Sequence, residues 1–181
     1  MNNQHPLRVI AAIGLTIGAV LGLTGSLVTS ATLRGLCWGI DGTALVVATA
    51  LLTIYHLRQG NDLLASGFLV FAVGEGVILS GAAMNPITAS IPSFGAGAAM
   101  WSAALVLISV PRVFPIVVRI LGLIASLLFL ITALQIFAGG ALTPLSNPLP
   151  FFAYPFLVAT LLGWAWVHWK MEIVGKPGSA L

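Results

Sequence analysis

A chain of 181 residues that is 59% hydrophobic and only 6% charged has no polar exterior to show to water, which excludes an ordinary soluble domain. The formal net charge of +3 does not point to nucleic acid, because the basic residues are dispersed among apolar runs and form no cluster that would neutralise phosphates. The single Cys37 excludes an internal disulfide and a CxxC or zinc-type ligand set.

A membrane-crossing helix needs roughly 20 apolar residues. The apolar runs predict six of them in one all-α membrane domain over residues 1–181, a bundle of six transmembrane helices with no separate catalytic module. The first span is read over Leu7–Thr29. Its core, Val9 to Val28, is longer than the apolar stretch of a signal peptide and predicts a retained anchor, with cleavage after Thr29, Ser30 and Ala31 as the alternative. Gly14, Gly18 and Gly22 recur every fourth residue, a spacing that lets another helix approach closely. That helix belongs either to the same bundle or to a partner, a second copy or a larger membrane complex. Arg34 falls in the first loop.

The second span is read over Ile40–Leu57. Asp41 then stands at its outer start, where an acid caps a helix and meets the positive end of its dipole. The same acid has two other uses, as a partner for Arg34 and as a cation-attracting mouth. His56 lies near the inner end of this span and Arg58 in the loop that follows; Asp62 reads as the next N-cap.

The third span, Leu63–Met84, carries Gly67, Gly74 and Gly81 every seventh residue and therefore on one face. It also carries Glu75, flanked by Gly74 and Gly76. Counted from Leu63, that acid lies about 18 Å deep, close to the bilayer centre. An ionised carboxylate there costs several kcal/mol, so it is expected to be protonated, paired or in contact with water inside the bundle. The competing structural role is a hydrogen bond to a neighbouring helix. Ser66 and Ser80 lie on the same span without a histidine at matching depth, which argues against a hydrolase.

The fourth span is read over Gly95–Val110, ended by Pro111, and the fifth over Val113–Phe137, with Gly122 and Ser126 as a small-residue pair. Arg119, about 9 Å into the fifth span, is the obvious counter-charge to test against Glu75, or else it snorkels to the interface beside Arg112. The sixth span, Leu149–Trp169, places His168 at a depth similar to that of His56. Two such histidines would suit the axial positions of a haem. The loops Asn85–Phe94 and Gly139–Pro150 share a Pro-x-Thr/Ser pattern at Pro86 and Pro144, each followed six residues later by Pro92 and Pro150, a hint of duplicated hairpins.

Arg8, Arg58, Arg112, Lys170 and Lys176 alternate with the uncharged third and fifth loops and with Arg34 alone in the first. Positive residues favour the cytoplasmic side, so both termini are expected there, in a cell inner membrane. Trp38, Phe94 and Tyr154 on one side and Tyr55, Trp166 and Trp169 on the other read as interfacial belts.

The reading of function is that Glu75 lines a path or pocket for a proton, small cation or small solute, with Asp41 at the outer entrance and Arg119 as inner counter-charge. Two alternatives stand beside it: a non-catalytic subunit or assembly factor of a larger membrane complex, and a haem- or quinone-linked redox protein using His56 and His168. No catalytic motif occurs in the sequence. No cofactor, metal or nucleic acid is expected, and the lipid bilayer is the expected partner.

Overall fold

The computed structural model describes residues 5–82 and 90–174, with backbone alone for His5 and residues 171–174. It is all-helical, with no strand among the described residues: α1 (His5–Leu27), α2 (Ala31–Arg58), α3 (Asp62–Ala82), α4 (Ile91–Ser109), α5 (Ile116–Phe137) and α6 (Tyr154–Val174). A 3-10 turn, Phe151–Ala153, leads into α6. All six helices are long and apolar enough to cross a membrane.

The distribution of side chains inverts that of a soluble protein. Ile10, Ile13, Val20, Val117, Leu127 and Leu134 are exposed, while His56, Glu75, Ser102, Ser126 and His168 are buried. An apolar outside around a partly polar inside is what a hydrocarbon solvent selects, because polar groups there must find partners within the protein.

Each helix packs on its neighbours in the chain, and α1 packs on α6, so the six form a closed ring. Small residues permit the close approaches. A methyl on Gly14 would lie 2.9 Å from Ala48 Cβ, and the faces of Gly18 and Gly22 meet Leu45 and Asp41, so the α1 glycines are covered by α2 of the same chain. Gly67, Gly74 and Gly81 all turn toward α4, at Ile108, Met100 and Ser93. Ser126 of α5 donates to Ser102 O of α4 at 2.8 Å, beside the Gly122–Ser109 contact. At these positions glycine and serine thus serve internal packing.

Several boundaries depart from the sequence expectation, among them α6, which begins at Tyr154 and not at Leu149. The largest is α2, which starts at Ala31, nine residues before Ile40, and runs for 28 residues. Ser30 is its N-cap and accepts from the Leu33 N–H at 3.3 Å. Arg34, expected in a loop, is helical and donates to Gly25 O at 3.3 Å and Val28 O at 2.7 Å, closing the C-terminal end of α1. Asp41 is therefore the eleventh residue of α2 and caps nothing. Helix α4 begins at Ile91 with Pro92 in its first turn, where a missing N–H is harmless. Helix α5 begins only after Pro115. At α3 the carbonyl of Asn61 accepts the first helical bond, from Ala65 at 3.0 Å, so Asp62 is the first helical residue and Asn61 its cap. The Pro86 half of the suggested repeat lies outside the described residues.

Candidate functional site

Inside the ring the side chains form layers. Nearest the end that carries Arg34, Ser90 and Thr143–Leu145 is a cavity of about 650 Å³ walled by α1, α2, α3, α4 and α6. Glu75 and Asp41 both line it. Beneath them Phe71 stacks on Trp101 with centroids 5.7 Å apart and meets Trp164 edge-on at 6.0 Å. Phe68 meets Trp164 edge-on at 5.2 Å, and His56 stacks on Phe68 at 5.4 Å. Trp101 lines the cavity, and Phe71 and Trp164 packed behind it complete an aromatic floor, with a histidine layer roughly 10 Å below Glu75 along α3.

Glu75 is the fourteenth of the 21 residues of α3 and is 4% exposed. Its Oε1 rests on the α2 backbone, where a methyl on Gly42 would lie 2.7 Å away. Its Oε2 is buried without a hydrogen-bond partner. The Trp101 indole comes near this carboxyl, yet its Nε1 makes no hydrogen bond in the present geometry. Gly74 and Gly76, which flank the acid, differ in role: Gly74 admits Met100 of α4, and Gly76 faces open space.

Asp41 comes from the adjoining position on α2, one residue before Gly42. Its carboxylate occupies the space left by α1: a methyl on Gly22 would lie 2.8 Å from Oδ2 and one on Gly18 3.2 Å from Oδ1. Oδ1 is buried and unpartnered. The two carboxyls are close enough to act on each other electrostatically. Helix α2 therefore brings Asp41 to the cavity of Glu75 only because it is longer than expected. With the chain read from Ile40, the same acid stood at a helix end.

Arg119 is not part of this arrangement. Its Nε donates to Ser109 O at 2.7 Å and its Nη2 to Val110 O at 2.8 Å, so it closes the C-terminus of α4. Contact with Glu75 would require α5 to touch α3, and α5 packs only on α4, α6 and the turn before α6. Arg34 is the cation on the cavity wall, with its guanidinium 5.9 Å over the Trp38 ring and its donors on α1 carbonyls.

His56 and His168 do meet, across the ring at its other end. Their Nε2 atoms are 3.2 Å apart, both rings are buried, and His168 Nδ1 lies 2.7 Å from Trp164 O. A carbonyl only accepts, so His168 carries a proton on Nδ1, and with both rings neutral its Nε2 accepts from the Nε2–H of His56. His56 Nδ1 is then a bare acceptor, consistent with its lack of a partner. This geometry does not fit bis-histidine haem: an iron would sit roughly 2 Å from each nitrogen on opposite sides of a porphyrin, and a direct contact leaves no room for the macrocycle. No group of three or more His, Cys, Asp or Glu side chains suited to a metal ion occurs among the described residues.

Several lining residues were not singled out from sequence. Trp38, Phe94 and Tyr154 read as belt aromatics, yet they face the cavity. Trp101 offered a signal, since a tryptophan in the middle of an apolar run lies far from any interface. No protein-family model, curated protein or solved structure matches this chain.

Proposed function

We propose that this chain is a multi-pass inner-membrane protein that receives a small solute or cation in the cavity shared by Glu75 and Asp41. The observation that carries the reading is the convergence of two acids from different helices on one cavity, each with a buried oxygen that has no hydrogen-bond partner among the described residues. Unpaired carboxylates inside a membrane bundle are expensive, and such sites usually serve ions, protons or substrates. Both termini lie on the cytoplasmic side in this reading, supported by Arg8, Arg58, Arg112 and Lys170 at one end of the ring. The cavity then faces outward. The aromatic floor beneath Glu75 favours a site that holds its solute over a continuous pore.

The test is solute-dependent stabilisation of the purified protein across a panel of inorganic cations, organic cations, neutral solutes and anions. A cation that raises the unfolding temperature of the wild type and not that of Glu75→Gln supports the reading. A panel in which Glu75→Gln responds like the wild type to every solute contradicts it.

A further inference from the structure

We infer that the ligand of this cavity is a primary ammonium ion with an apolar body, its N–H groups directed at Asp41 and Glu75 and its hydrocarbon held by the surrounding wall. The inference rests on the reading of the cavity as a solute site and specifies the chemistry of the solute.

The polar requirement is for donors carrying positive charge. Asp41 Oδ1 and Glu75 Oε2 are buried acceptors without a hydrogen bond among the described residues. An acceptor left unsatisfied in a dry site loses its hydration with no return, and a charge-assisted N–H···O bond is the strongest remedy. Neither arginine supplies a charged donor, since Arg34 is held on Gly25 O and Val28 O and Arg119 on Ser109 O and Val110 O, and the one donor the described residues bring near Glu75 is the neutral Trp101 N–H. An ammonium offers three donors on a compact head, enough to bridge two carboxylates contributed by adjacent helices.

Other cations fit less well. A hard metal ion wants six or more oxygen ligands at about 2.0–2.6 Å, whereas this cavity presents two carboxylates and no third acidic, histidine or cysteine ligand among the described residues. A volume of about 650 Å³ is far larger than an ion and falls in the range of sites for small organic molecules. Apart from Arg34, Ser90, Thr143 and Tyr154, the rest of the wall is apolar and aromatic, with Leu45, Ile78, Phe94, Trp101 and Leu161 facing the space. A quaternary ammonium would meet the aromatic faces but has no N–H for the free oxygens.

The test uses the full-length protein in zwitterionic lipid nanodiscs, with the unfolding midpoint as readout. The probes are n-butyl-, n-hexyl- and n-octylammonium, the matching alcohols, hexyltrimethylammonium, sodium and calcium. Alkylammonium ions are expected to stabilise the wild type with apparent affinity rising about fourfold per methylene. The alcohols and the quaternary ion should bind at least about tenfold more weakly, and the ammonium response should be lost in both Glu75→Gln and Asp41→Asn. Carboxyl-dependent stabilisation by sodium or calcium with no effect of chain length would overturn the ammonium assignment and leave the solute site standing. Alcohols binding as tightly as the ammonium ions, with Glu75→Gln unaffected, would overturn both. If no probe shifts the midpoint the assignment falls, and thiol labelling of Glu75→Cys then decides separately whether the cavity is a site at all.

Discussion

Gly42→Ala is a sharp test of how the site is built, because ordinary helix energetics and this structure predict opposite signs. Within a helix, alanine is favoured over glycine by up to about 1 kcal/mol. At Gly42 the added methyl would lie 2.7 Å from Glu75 Oε1 and 2.5 Å from Leu79 Cδ2, well inside contact distance. Both obstacles are side-chain ends, which can move at the expense of rotamer strain and lost packing, so the net destabilisation should be about 1–2 kcal/mol. Gly76→Ala is the matched control: it lies next to Glu75 and meets nothing within 4 Å, so it should be neutral or stabilising. The assay is denaturant unfolding of the purified protein in mild detergent, followed by helical circular dichroism. Trimming one obstacle, as in Gly42→Ala/Leu79→Ala, should recover part of the loss relative to Leu79→Ala alone. If Gly42→Ala stabilised the protein as much as Gly76→Ala, Glu75 would not lie against α2, and the shared site with Asp41 would have no basis.

The histidine layer gives a coupled prediction. His168→Phe should destabilise by about 1–3 kcal/mol, since it leaves the His56 N–H buried without an acceptor. His56→Phe/His168→Phe should cost clearly less than the sum of the two single changes in a double-mutant cycle; strict additivity would mean that the rings do not interact. Arg119→Leu should lower stability by about 1–3 kcal/mol through loss of its bonds to the α4 carbonyls, while leaving ligand-induced stabilisation intact. Loss of that response in Arg119→Leu would return Arg119 to the site.

Much of the fold is legible in the sequence because most spans are apolar runs ended by a proline, glycine or charge. What hid the first third of α2 was Thr32, Arg34, Gly35 and Gly39, whose polar or small character reads as a loop. The helix persists there because Ser30 caps it and the Arg34 head reaches carbonyls of α1. That one boundary turned Asp41 from a wall residue into a supposed cap. Glu75 stood out because a lone acid in an apolar run is costly wherever it points.

Its surroundings were not legible, since an apolar helix has too little polarity contrast to show which face is inward. For the same reason depth alone brought Arg119 toward Glu75. The ring order, with α4 between α3 and α5, keeps the two helices apart. The closure of α1 on α6 has no local signal at all, being a contact between the first and last helices.

The central claim is that position 75 faces a cavity reached from the outer side of the membrane. Glu75→Cys in a Cys37→Ala background, treated with a water-soluble, membrane-impermeant thiol reagent in intact cells and in inverted vesicles, tests it most directly. The account predicts labelling from outside in intact cells and protection in inverted vesicles, where the aromatic floor of Phe71, Trp101 and Trp164 shields the position from the cytoplasmic face. Protection in both preparations would mean that position 75 is packed in protein or lipid, and the solute site would be contradicted.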